Sequence, residues 1–562
     1  MKADRKIKAD RKMKVDRRMK LTRLFAFAIV AAMLLSAFAA CGGSGGGDAT
    51  TAAATTAAAA AETTTAAAAA AETTTSAAAQ SDDREMVDLT LFVDEPWWSY
   101  STWEGKIPQR VSEITGVNIV PTIAVDENQL TLMISSGDLP DMICSWRFDR
   151  LSDSNLCYDY NGLIDQYAQD FVVDPVTKFV NTTLHDGLFY VIKNDFASPQ
   201  QWKDNPNALH QGAGISFRRD ILEDLGNPEI NSIEDLEMVY DMVLENYPGV
   251  IPIIAEGMGN SFRYMKMQLG VHGDTWYEDD AGQLKWRGRD PQLLEWYKLM
   301  NKWYHRGYWV ADNLAFTTGS QFRQVVMNGE AFSMMAYDNT ADSLNAEMQS
   351  VGIDYYMQAK AEWLTPDAFL TDYRIGWRGL FITRNCHNPE AAINFAKFAY
   401  STEGQQMLLW GIEGEDWHYG DDGYPVFDTW SPTDTDSIMA IGVRYWGWLT
   451  CDNIVNGMGQ GVGYEQTFEV KRYITDHTDR RVYIGMANPP ADSDESATLS
   501  RVNDLTNTEG VKILLAEDED GVIEAYNQMI AMAESMGLNN LEAWANSVYP
   551  QIKEGYFAIT DE

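Results

Sequence analysis

Residues 86–123 restrict the fold more than any other stretch of the chain. Val87, Leu89, Leu91 and Val93 alternate with polar residues, as a half-buried strand requires. Residues 106–115 can form a helix, and Val117 to Ile123 a second strand. A strand, a helix and a strand in that order predict a parallel sheet. Gln129 to Ser135 has helical spacing. Gly137-Asp138-Leu139-Pro140-Asp141 then turns the chain into a buried strand at Met142-Ile143.

A second well-punctuated stretch runs from Asn388 to Phe427. Asn388 is a good N-cap, Pro389 suits a first helical turn, and Glu390 suits the positive end of the helix dipole. Ala392, Phe395, Ala396 and Ala399 recur at helical spacing. Ser401 caps a second helix, Gln405 to Trp410, which Gly411 ends. A GIEGEDW loop and a hairpin, His418 to Phe427 with Asp-Asp-Gly at its turn, complete the segment.

With 562 residues, 45% of them hydrophobic, the chain can build a large core and more than one lobe. Its formal charge is −39. The first 40 residues hold 11 Lys and Arg against 3 Asp and Glu, so beyond them 32 basic residues face 79 acidic ones, a net −47. Such a surface repels nucleic acid and anionic lipid headgroups, so no nucleic-acid partner is expected.

Residues 1–40 have the form of a signal peptide: a basic start, then the apolar run Leu24 to Ala40. Phe38-Ala39-Ala40-Cys41-Gly42 resembles a bacterial lipobox, which implies lipidation of Cys41 and anchoring on the outer face of the plasma membrane. Residues 41–85 are Gly/Ala/Thr-rich and cannot build a core. As a flexible tether they would reach about 35–40 Å. The folded part is expected at 86–562. Besides Cys41 there are Cys144, Cys157, Cys386 and Cys451, with no Cys-x-x-Cys pair to suggest structural zinc. A Cys144–Cys157 disulfide and four buried thiols both remain open.

Several segments, in order, resemble the extracellular solute-binding proteins of carbohydrate ABC importers, in particular the large lipoprotein branch of Gram-positive bacteria. They are LTLMISSGDLPDMI, His185 to Ile192, GISFRRDIL at 214–222, WYHRGYWVAD, Gly329 to Met335, and above all the NPEAA…EGQ…GIEGE block. The resemblance implies an α/β, two-lobed, periplasmic-binding-protein-like fold of type II kind. Each lobe would be a central, mostly parallel sheet flanked by helices, and two or three hinge strands would join them. It further implies a monomer that captures a carbohydrate, an oligosaccharide above all, between two discontinuous lobes and hands it to the permease subunits of an ABC transporter. No cofactor is implied.

No H-E-x-x-H, G-x-S-x-G or P-loop is present, so no catalytic or metal residues are assigned. Gly457 to Gly463 has the wrong spacing for a dinucleotide site and reads as a loop near the ligand. A surface glycoside hydrolase or lyase, and a sugar-sensing or adhesive surface lipoprotein, remain as alternatives. A sugar presents a flat CH face and a rim of hydroxyls, so its site needs an exposed aromatic beside polar groups at a strand's C-terminal end. Glu95, Trp97, Trp98 and Tyr100 fit this in one loop, and Trp146 with Arg147 in another. Arg218, Arg374, Trp377, Arg378 and Trp446 complete the candidate set. Trp296, Tyr297, Trp303 and Tyr304 recur at helical spacing and are assigned to the core.

Overall fold

The structure is a computed structural model that describes residues 86–562, with 185, 256–261, 274, 317–318, 366–367, 369, 461, 463, 491–492 and 561–562 excepted. The expected signal peptide at 1–40, the lipidation site Cys41 and the tether at 41–85 lie outside the described residues.

The opening strand–helix–strand pattern folds as its residues require. β1 (Val87–Val93) and β2 (Val117–Ile123) run parallel, joined through the helix Lys106–Thr115. Gly116 ends that helix at φ 72°, a left-handed conformation that costs a residue without Cβ little. β3 (Met142–Ser145) pairs parallel with the other side of β1. β1 is therefore central, and Leu91, Phe92 and Val93 are all buried where alternation predicted one wet face.

The second sheet is built from β4 (Ala213–Arg218), β5 (Ile251–Ala255), β6 (Ala331–Tyr337) and β7 (Met357–Lys360), in the order β5-β6-β4-β7. The chain then returns to the first sheet as β8 (Gly379–Ile382), antiparallel to β3, giving the order β8-β3-β1-β2. The first sheet is mostly parallel, as expected. In the second only β5 and β6 are parallel, and β4 is antiparallel to both its neighbours. Two helices, Arg219–Asp224 and Ile233–Asn246, follow β4, and β5 runs antiparallel to it.

Each sheet has its own core. The first collects Leu89, Ile119, Phe395, Leu408 and Trp446, and the second Phe217, Tyr240, Trp303, Phe332, Ile513 and Tyr549. Trp296, Tyr297 and Trp303 are buried in the second core and Tyr304 packs against it, as helical spacing predicted. Full burial of each such side chain contributes about 1.5–3 kcal/mol.

The segment from Asn388 forms the two capped helices, Pro389–Tyr400 and Thr402–Trp410. The Asn388 side chain accepts from the Ala391 N–H, and Ser401 from the Gly404 N–H. Asp416, in the following loop, is buried and pairs with Lys106 Nζ at 2.8 Å, which ties the loop to the start of the first helix.

The residue pattern alone reads Arg374 to Thr383 as one strand, His185 to Ile192 as a turn and a strand, and Ala525 to Tyr556 as helical, and the structure differs in detail at each. Only Gly379–Ile382 of the stretch 374–383 is a strand. In the stretch 185–192, residue 185 lies outside the described residues, and 186–192 hold a turn and one isolated bridge, at Phe189, rather than a strand. The helical stretch 525–556 belongs to two helices, Glu519–Ser535 and Leu538–Phe557, separated at Gly537 with φ 105°. The glycine-rich stretch expected as a loop begins inside the helix Asn453–Gln460, while 461 and 463 lie outside the described residues. A Cβ at Gly457 would stand 2.5 Å from the Leu209 carbonyl oxygen, so this glycine permits close packing rather than motion. Cys144, Cys157, Cys386 and Cys451 are free and buried, which excludes the Cys144–Cys157 bridge.

Candidate functional site

Three stretches pass side by side from one core to the other: Lys193–Phe196, Ile375–Arg378 and Cys451–Asn453. Ile192, Leu380 and Leu449 belong to the first core, while Phe196, Ile375 and Val470 pack in the second. The crossings are laced together by backbone bonds, Asn194 N–H to Arg378 O at 2.7 Å and Asp195 N–H to Cys451 O at 2.8 Å. The Asn194 side chain adds a bond to the Trp448 carbonyl. Asp195 stands at φ 52°, a left-handed conformation for a residue with a Cβ. Its carboxylate accepts from Asn456 Nδ2 at 2.9 Å, and burial pushes its pKa up.

The crossings meet the first sheet at its C-terminal edge. β8 starts at Gly379 opposite Ser145, the last residue of β3. Arg378 therefore arrives beside the ends of β1 and β3, from which the Asp94–Trp98 and Trp146–Arg147 loops leave. Asp94 is buried, accepts from Ser145 Oγ at 2.8 Å, and lies 3.4 Å from Arg147 Nε. Burial raises its pKa against those partners. Burial likewise raises Glu95, which Arg378 Nη2 approaches at 3.5 Å.

Three aromatic residues keep large faces in solvent here: Trp97 at 48%, Trp146 at 46% and Trp377 at 42% exposure. The Trp97 and Trp377 rings are parallel within 3°, with centroids 6.0 Å apart. Trp146 carries the Arg147 guanidinium 4.8 Å from its ring centre. Behind them lie the buried Trp98, Tyr100 and Trp446. The Tyr100 hydroxyl donates to the Ile438 and Val443 carbonyls, and Trp98 and Trp446 are 5.9 Å apart. The structure thus brings Glu95, Trp97, Trp98, Tyr100, Trp377, Arg378 and Trp446 into one cluster, with only Trp97 and Trp377 presenting broad faces. Trp98, Tyr100 and Trp446 support the face from behind rather than offering one.

Arg374 occupies the other side of the crossing. Its Nε donates to Asp372 Oδ1 at 2.7 Å and its Nη2 lies 3.0 Å from His210 Nε2, which in turn is 2.7 Å from Asp372 Oδ2. Burial pushes the Asp372 carboxyl up, but Arg374 and His210 outweigh it and hold it well below the usual range. Arg218 is not part of the cluster. It ends β4 at the edge away from the crossings, bonds the Gly329 carbonyl at 2.9 Å and stacks on Tyr355 at 4.3 Å. Two further charged groups have no motif to mark them in the sequence. Lys193 has its pKa pushed down to about 8 by burial, its Nζ 4.6 Å from the Phe148 ring. Asp338, just past β6, pairs with the buried Lys471. Among the described residues no group of His, Cys, Asp and Glu is placed to hold a metal ion.

The arrangement offers a flat apolar surface, with acceptors and donors at its margin, where two lobes meet. A family model described as bacterial extracellular solute-binding protein matches residues 113–413. Among solved structures, the alginate-binding protein AlgQ2 without calcium ion superposes with a TM-score of 0.62 at 16% identity, covering 84% of this chain and 99% of that one. The extracellular solute-binding protein of Bifidobacterium longum subsp. infantis gives 0.61 at 14% identity, covering 84% and 100%. FusA of S. pneumoniae, in complex with kestose, gives 0.60 at 15% identity, covering 83% and 99%. No curated protein matches the sequence. With more than half of its length matched by that family, this chain belongs to the bacterial extracellular solute-binding proteins.

Proposed function

We propose that this protein is the carbohydrate-capturing component of an ABC importer, binding an oligosaccharide between its lobes and delivering it to the permease subunits. The carrying observation is the pair Trp97 and Trp377, parallel within 3° and both exposed at the edge where the lobes join. Stacked or coplanar indoles suit the CH faces of sugar rings, which are apolar and flat. Arg147, held by the buried Asp94, stands beside them as a donor for ring hydroxyls. The names of the solved relatives, which bind alginate or kestose, agree with this reading.

In this reading residues 1–40 are removed, Cys41 carries the lipid, 41–85 tether the protein to the outer face of the plasma membrane, and 86–562 act as a monomeric solute trap. Closure follows ligand binding because only the closed form lets both lobes touch the ligand. A thermal-shift screen of the purified chain against mono- and oligosaccharides tests the assignment. One or more glycans raise Tm in a saturable manner without being cleaved. A panel that leaves Tm unchanged, or glycan hydrolysis by the pure protein, overturns it.

A further inference from the structure

We propose that Arg378 is a positioning residue, which sets the angle at which the Trp97 and Trp377 indoles meet the ligand without itself touching it. This deepens the carbohydrate reading and rests on it for its binding measurement.

Arg378 has no exposed surface. Its guanidinium carbon lies 3.3 Å from the centre of the Trp377 ring, 5.0 Å from that of Trp97 and 5.3 Å from that of Trp98. None of its three guanidinium nitrogens has an oxygen or nitrogen hydrogen-bond partner, and the buried Cys144 thiol lies beside it. The nearest counter-charge is Glu95, with Oε1 3.5 Å from Nη2. A buried cation with no oxygen or nitrogen acceptor in bonding range is held by what surrounds it, here three electron-rich ring faces, one carboxylate and the Cys144 thiol. The contact at 3.3 Å requires a planar cation. A guanidinium lies flat on a ring, whereas an ammonium is a compact, strongly hydrated point charge.

The backbone on which this side chain stands is fixed. The Arg378 N–H donates to Asn194 Oδ1 at 3.0 Å, its carbonyl accepts from the Asn194 N–H at 2.7 Å, and the Trp377 N–H donates to the Asn194 carbonyl at 3.1 Å. Asn194 belongs to a second crossing. A change in how the crossings lie against each other therefore moves the guanidinium, and with it the two rings. The platform is mechanically part of the hinge.

The test combines a ligand-free spectrum with a binding cycle. In protein labelled with 5-fluorotryptophan, the 19F resonances of residues 97 and 377 are assigned by their loss in W97F and W377F. R378M shifts or broadens both, and R378K restores neither fully. Both resonances unmoved in R378M overturns the proposal, and this readout needs no ligand. For the best glycan of the screen, R378M weakens binding at least fivefold in the wild-type background and less than twofold in W377A. Equal losses in the two backgrounds mean that Arg378 acts independently of the ring, which also overturns it. If no glycan binds the wild type, the carbohydrate reading fails while the spectra still decide the role of Arg378. If R378M does not fold, R378Q takes its place in both measurements.

Discussion

Lys471 Nζ lies 2.8 Å from Asp338 Oδ1, and both side chains are essentially out of solvent. The other Asp338 oxygen accepts the Gly212 N–H at 2.6 Å. The pair thus joins the end of β6, the approach to β4 and the helix Glu465–Asp476 at the edge of the second sheet nearest the crossings. Asp195 in the crossing feels the charge of this same lysine. Removing one partner strands the other in a low-dielectric site, which costs about 3–5 kcal/mol. K471M is therefore expected to lower unfolding stability by that amount in urea or thermal melts. K471M/D338L is expected to recover part of the loss, since a buried pair replaced by apolar residues is often neutral.

Trp97 and Trp377 share a face and a margin, so both substitutions should act on binding. W97A and W377A are expected to weaken glycan binding by about tenfold each, or 1.4 kcal/mol. Calorimetric titration measures this; W97A should change Tm little, whereas W377A also uncovers the buried Arg378 guanidinium and should lower Tm. R218A is the contrast. Its stack on Tyr355 and its bond to Gly329 lie at the far edge of the second sheet. It should lose about 1 kcal/mol of stability and leave Kd unchanged.

What the sequence made legible follows from the range of the forces involved. The cap at Asn388 was readable because capping is decided within four residues, and the structure shows the Ala391 N–H on its side chain at 3.0 Å. Trp97 and Trp377 were both readable as site candidates, but their parallel contact was not, because 280 positions separate them and only the β3–β8 pairing brings them together. Trp446 and Tyr100 were read as ligand residues because aromatic clusters look alike whether they line a cleft or back it. That Arg218 stands apart from the Trp97–Trp377 cluster was not legible either, since a strand's sequence does not say which end faces a hinge. Asp195, His210 and Lys471 carried no local signal at all, as each acquires its role from a partner distant in the chain.

The His210–Asp372–Arg374 cluster gives stability a pH dependence whose sign can be worked out. Burial lowers the His210 pKa below its unfolded value of about 6.5, against the pull of Asp372. In the window between the two values the unfolded chain binds a proton that the folded chain does not. Unfolding is therefore favoured as pH falls through the unfolded pKa. Asp372, held below the ordinary carboxylate value, adds stability that is lost only in stronger acid. Denaturation between pH 7.5 and 5.5 should show a decline that H210Q lacks, with a limit of about 1.4 kcal/mol per pH unit from this group. An identical slope in H210Q would remove His210 from the account.

Asp195 offers a last test, of the crossings themselves. It combines a left-handed φ of 52° with two side-chain bonds that hold it there, Asn456 Nδ2 to its carboxylate and Asn453 Nδ2 to its carbonyl, both at 2.9 Å. The backbone strain of a non-glycine residue in that region is of order 1 kcal/mol. D195G removes the strain but also the carboxylate that Asn456 bonds. D195A keeps the strain and loses the bond, so D195A is expected to be the less stable of the two by about 1 kcal/mol. D195N keeps the side-chain oxygen and tolerates the left-handed region, so it should be the mildest of the three, losing no more than about 1 kcal/mol. If the crossings act as a hinge, D195G should also widen the distribution of lobe separations in small-angle scattering of the ligand-free protein. A saturating glycan should then return D195G to the wild-type profile, because lobe contacts to the ligand replace the lost restraint. A profile for D195G that matches the wild type in both states would show that this residue stiffens the fold without controlling its opening.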